Sequence, residues 1–143
     1  MEQDATRKAL LSSGASAAEG LLRACSSGDG PQRLQMVRDL AQDLKRQLEA
    51  LSSLPRAEAS SDALAEAALR CGDVATLAAC NAGALPPEGR DLALEAARRA
   101  REVTAGVLAG LEREGEAPEN ALRDARSADW RASLALRQLG ERA

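Results

Sequence analysis

The sequence predicts an all-α fold: an antiparallel bundle of four long helices, or five if the third splits, in a single domain spanning residues 1–143. Three observations carry this expectation. Apolar residues recur at three- and four-residue intervals through most of the chain. No segment shows the apolar–polar alternation of a half-buried strand. Turn-forming residues break the helical pattern at Gly30-Pro31, at "LPRAEASSD", at "NAGALPPEG" and at "EGEAPEN". A chain of 143 residues is one domain in size, and it can bury roughly two-thirds of the surface that the unfolded chain exposes.

The first helix is expected over about residues 5 to 25. Its stripe of Leu10, Leu11, Ala18, Leu21, Leu22 and Cys25 is weak and is interrupted by Gly14. The second is the clearest. Pro31 suits its first position, and Leu34, Val37, Ala41, Leu44, Leu48 and Leu51 follow at spacings of 3, 4, 3, 4 and 3, one apolar seam. Ser61 or Asp62 is the expected cap of the third, which carries Leu64, Ala68, Cys71, Ala75 and Ala78, with Gly72-Asp73 as a kink or split. The fourth runs from about Glu88 to Glu114, and the last from near Pro118 to about Gln138. The many Ala and Gly positions imply helices that approach closely.

Composition removes whole classes of function. The chain has 29% charged and 45% apolar residues, the balance of a globular domain. A formal charge of -3 disfavours a general nucleic-acid binder, which needs a basic stripe to displace counterions. No run of 18 apolar residues exists, so no membrane span is expected, and "MEQDATRKALLSSG" lacks a signal-peptide core, which predicts a cytoplasmic protein. There is no His, Phe or Tyr. Without His there is no Ser-His-Asp or Cys-His nucleophile and no His-ligated zinc, so neither a catalytic set nor a metal site is predicted. The core must be Leu, Val and Ala, with one Trp.

Among candidate features, Cys71 and Cys80 lie nine residues apart, about 180° around a helix, with no C-x-x-C anywhere. With Cys25 they read as small buried hydrophobes or surface thiols. Gly106-x-x-x-Gly110 permits close helix packing. Trp130, in "SADWRASLAL", reads as a core or interface anchor, or as a stacking platform for a flat ligand. Arg98, Arg99 and Arg101, with Glu95 and Glu102 at helical spacing, read as a salt-bridged solvated face, or as an anion site. Gly89 stands near a helix start, but "LPPEG" is not a P-loop.

The order of these features resembles a known family. Leu85-Pro86-Pro87-Glu88-Gly89 stands where that family has an L-P-G-G turn, and Leu94 to Arg98 matches L-x-x-A-R. Ala117-Pro118-Glu119-Asn120 stands for its N-P-E connection, and "ARSADW" for N-R-L-S-D-F, placing Arg126, Asp129 and Trp130 on the motif's Arg, Asp and aromatic. Upstream, Glu19 to Gln47 is similar to its first two core helices. From about residue 15 to 138 the chain thus resembles the ATP:cob(I)alamin (corrinoid) adenosyltransferases of the PduO type. Its departures are specific. The T-G-D-x-G-x-T nucleotide segment is missing. The position of the V-D-E-L-N-S motif, Ser12 to Ala17, holds no acid or amide, and the Asn of N-R-L-S-D falls on Ala125. Arg98-Arg99-Ala100 matches the start of R-R-A-E-R only after a shift of about five residues, roughly 140° off face. In the register anchored on Leu94 to Arg98 that signature falls near Glu102 to Gly106 and is lost.

The resemblance implies an adenosyltransferase-like bundle, degenerate and without the transfer reaction, that retains an oligomerisation, ligand-binding or partner-binding role. It implies a homo-oligomer, a trimer in the family, with ATP and cobalamin as ligands only if the family function survives. Arg98, Arg126, Asp129 and Trp130 are then the ligand-binding or interface residues. The alternative is an unrelated helical-bundle interaction or adaptor module with no enzymatic activity. A third reading is a reduced enzyme completed by a partner chain.

Overall fold

The computed structural model describes residues 2–26, 32–85, 87–115 and 117–140. Five helices account for nearly all of them: α1 Glu2–Ser26, α2 Gln32–Ser52, α3 Ser61–Asn81, α4 Pro87–Glu114 and α5 Glu119–Gln138. Single 3-10 turns, Arg56–Glu58 and Ala82–Ala84, lead into α3 and α4. Pro31 as a helix start, Pro86 of the proline turn and Glu116 of the last connection lie outside the described residues.

Helices α1 to α4 form a ring in which each packs on the next and α1 closes against α4. The chain reverses at every connection, so ring neighbours are antiparallel. Helix α5 stands outside the ring, over the seam between α3 and α4. The α2 seam faces inward as its spacing requires: Leu34, Val37, Ala41, Leu44, Leu48 and Leu51 are all buried. Each of its leucines contributes roughly 1.5–3 kcal/mol by leaving water.

Glycines explain two places where the expected elements differ from the observed ones. Helix α1 is not interrupted at Gly14. A Cβ there would stand 2.8 Å from Val103 Cγ2 and 3.0 Å from Leu48 Cδ1, so the glycine lets α2 and α4 close on α1. Helix α3 neither kinks nor splits at Gly72-Asp73. A Cβ at Gly72 would lie 3.1 Å from the Ala128 carbonyl oxygen, so this glycine marks the close approach of α5. The glycines' cost in helix propensity is offset by packing that only they permit. The α3 cap is Ser60, one residue before the expected position; its hydroxyl accepts from the Ala63 N–H at 3.0 Å.

A third difference concerns the core. Ala121, Ala125, Ala128, Ala132 and Ala135 are the buried residues of α5, while Trp130 is 68% exposed. The expectation that Trp130 is a core anchor is therefore wrong. The α3–α5 approach leaves room for alanine and not for an indole.

Candidate functional site

The arginines of α4 divide between two faces. Arg98 lies 3.6 Å from Glu95 on the outer side. Arg99 bridges Glu95 at 2.8 Å and Glu102 at 3.1 Å, and these carboxylates raise its pKa. Arg101 points instead toward α5, where its Nε donates to Ser133 Oγ at 2.6 Å and stands 3.2 Å from Asp129 Oδ1. The salt-bridged face expected from the sequence is present for Arg98 and Arg99. Arg101 belongs to a helix–helix contact.

That contact is the best-built polar cluster of the molecule. The buried Thr104 hydroxyl lies 3.0 Å from both Asp129 Oδ1 and the Arg101 carbonyl oxygen, and its single proton serves one of them at a time. Further along the same seam, Arg126 approaches Glu112 of α4 at 3.7 Å. Arg126 and Asp129 therefore share a helix face, as their i, i+3 spacing requires, and both are engaged within the chain. Thr104 was missed in the sequence. Its signal was its place beside Val103 on the inward stripe of α4, where a hydroxyl needs a partner.

Trp130 stands apart from this cluster. It occupies the middle of the outer face of α5, with Leu134, 39% exposed, one turn on. The outward positions are Glu119, Arg123, Arg126, Trp130 and Arg137, all exposed, while the half-buried Ser133 accepts from Arg101 of α4. Trp130 is the one apolar residue among them. Arg123 lies 3.8 Å from Asp124 and Arg126 3.7 Å from Glu112, so both charges have an acid at hand. Glu119 and Arg137 have no ion-pair partner among the described residues.

Two concavities complete the surface. The larger, about 640 Å³, opens between the start of α1, the Arg56 turn, the start of α3 and the end of α4. A smaller polar one lies between α1 and α2. There Glu19 pairs with Lys45 at 2.9 Å and Arg23 at 3.3 Å, and the Lys45 hydrogen bond lowers the Glu19 pKa.

The thiols match the helix-phase expectation: Cys71 is buried and Cys80 exposed. Burial pushes the Cys71 pKa up to about 12, and it raises that of Cys25 as well. Among the described residues no group of three or more His, Cys, Asp or Glu is placed to hold a metal ion. No helix among them is long and apolar enough to cross a membrane.

The ATP and cobalamin that the family resemblance implies can be tested against this geometry. The cations it would offer a triphosphate, Arg98 and Arg126, each face a carboxylate of α4. The stretch Ser12 to Ala17 carries no charged or amide group. These residues do not fit a nucleotide site, and no reaction step is derived from one. Comparison with protein-family models, curated proteins and solved structures finds no match.

Proposed function

We propose that the chain is a non-catalytic helical-bundle module that works by protein association through the outer face of α5, with a second copy of itself as the partner. The observation that carries this reading is Trp130, the chain's one aromatic residue, exposed at the centre of the outer face of α5. An indole holds more apolar surface than any other side chain, and pairing removes it from water.

That face is self-complementary across a two-fold axis. Set antiparallel about residue 128, two α5 helices bring Arg126 against the partner's Trp130 twice, a cation–π pairing. They also bring Glu119 against the partner's Arg137 twice. Arg123 and Arg126 are compensated within their own chain, so the charge left over is the pair that the partner supplies. Isologous association of this kind is the commonest form of homo-oligomer.

The test is light scattering on the full chain, with Trp130 emission followed over a dilution series. A dimer whose emission shifts to the red on dilution, and a Trp130→Ala variant that is monomeric with unchanged helicity, are the expected results. A wild-type monomer at high micromolar concentration would overturn the reading. So would a trimer that survives Trp130→Ala.

Ancestry among the adenosyltransferases is a second proposal, motivated by the ordered landmarks at Leu85, Leu94 to Arg98, Pro118 and Arg126 to Trp130. In that reading the bundle is degenerate and keeps an association role without the transfer reaction. Calorimetry with ATP and with cobalamin tests it, and adenosylcobalamin formation by the isolated chain would show that the reaction survives.

A further inference from the structure

The 640 Å³ groove lies at the α1–α4 end of the bundle, and its construction is independent of the α5 face. Its floor is apolar, with Leu10 and Leu11 from α1, Leu64 from α3 and Val107 and Leu111 from α4. Its volume falls within the range of small-molecule sites, and apolar walls with a few polar groups at one edge are their usual composition.

The glycine pair of α4 divides its work here. Gly106 is needed for packing, since a Cβ there would collide with the Leu10 side chain. Gly110 is different. A Cβ on it would meet nothing closer than Arg113 Nη2, at 4.0 Å. Packing therefore does not demand glycine at 110, where the one group within 4 Å among the described residues is the flexible end of Arg113. The floor from Gly106 to Arg113 spans about two turns of α4, roughly 10 Å, the reach of a medium-chain acyl tail.

Among the described residues the rim is mostly cationic: Arg7, Arg56 and Arg113 line it with one carboxylate, Glu114. Arg56 takes up that carboxylate in a two-bonded pair at 2.6 and 2.8 Å. Arg7 donates to the Leu54 carbonyl at 2.7 Å and so fixes the end of α2 against α1. Arg113 has neither hydrogen bond nor ion pair among the described residues, and its guanidinium lies over Gly110 at the groove's edge. A planar cation beside an apolar trough fits a carboxylate on an alkyl chain, with the head on the guanidinium and the tail along the floor.

The geometry points to this groove as a binding site for medium-chain fatty carboxylates, with Arg113 holding the head group at the edge and the apolar floor beneath it taking the tail. The experiment is calorimetry of the full chain with octanoate, decanoate and uncharged decanol, each below its aggregation concentration. Affinity is expected to rise about four-fold per added methylene from octanoate to decanoate, and decanoate to bind about ten-fold tighter than decanol. Gly110→Leu is expected to abolish binding. The fold is expected to stay intact, checked by unchanged helicity, because leucine is a better helix former than glycine and a Cβ at this position meets only the end of Arg113, at 4.0 Å. Arg113→Gln is expected to weaken decanoate about ten-fold and leave decanol unchanged. Absence of decanoate binding by the wild type at millimolar concentration would overturn the site, as would undiminished binding by Gly110→Leu. Equal affinity for decanoate and decanol would overturn the head-group assignment.

Discussion

Helices α2 and α5 have nearly the same length and the same apolar period, yet they are built in opposite senses. Helix α2 turns its large residues inward: four leucines and a valine share its buried seam with a single alanine. Helix α5 turns only alanine inward and keeps its largest residue, Trp130, outside. The reason lies in what each helix meets. Helix α2 packs in the ring between α1 and α3, and its large side chains fill the centre of the ring. Helix α5 is drawn against α3 at Gly72, where the opposing backbone stands in van der Waals contact. One helix stabilises the bundle by volume, the other by proximity.

Substitutions that exchange these two modes are the sharpest way to break the contrast. Leu48→Ala empties a position that is fully buried in α2. It is expected to cost about 3 kcal/mol in denaturant unfolding, and a loss below 1 kcal/mol would mean that the ring collapses around the gap. Ala128→Leu makes the opposite error in α5. It forces bulk into the Gly72 contact and is expected to cost about 2 kcal/mol. If the variant is as stable as the parent, the α3–α5 approach is not as close as the structure has it.

The core also responds to pH through Cys71. Its thiol ionises at about 12 when folded against 9.0 as the reference value, so the unfolded chain releases the proton first. Stability is then full below pH 9 and falls as pH rises from 9 towards 12, by at most about 1.4 kcal/mol per unit. Unfolding midpoints measured across pH 8 to 11 check the sign, with Cys71→Ala expected to flatten the slope. On the native protein at pH 8, a thiol reagent is expected to modify the exposed Cys80 well before Cys71.

Two smaller effects separate the inner and outer faces of α5. Asp129→Ala removes the Arg101 ion pair and one of two acceptors near Thr104. A loss of about 1 kcal/mol is expected, with the oligomeric state unchanged, because Asp129 serves the α4–α5 contact within one chain. A change in assembly would return it to the interface role. Trp130→Ala is expected to alter the monomer's stability by less than about 0.5 kcal/mol. Its effect belongs in the association measured by light scattering.

Much of this was legible in order along the chain. The α2 seam, the α4 and α5 spans and the opposed phases of Cys71 and Cys80 all follow from a 3.6-residue period acting on unambiguous residue types. Arg126 and Asp129 were legible as a shared face for the same reason. Other features were not legible because period alone does not say what a face meets. Gly14 and Gly72 read as breaks, since glycine's local cost is visible in a sequence and a neighbouring helix is not. Trp130 read as a core or interface anchor or a stacking platform, since hydrophobicity alone does not say whether the interior has room for it.

What the sequence determined by itself, then, is local: helices, their faces, the few turns between them, and the absence of the residues that histidine-based catalysis requires. The tertiary structure decided which of two available faces of α5 turns inward. It divided the α4 arginines between solvent and the α5 contact, and it set Gly110 beside the end of the Arg113 side chain while Gly106 was packed on Leu10. The physical reason is distance. Helix formation depends on neighbours three and four residues away, which the sequence lists in order. The room for an indole, or for the side chain that Gly106 lacks, is set by helices tens of residues apart.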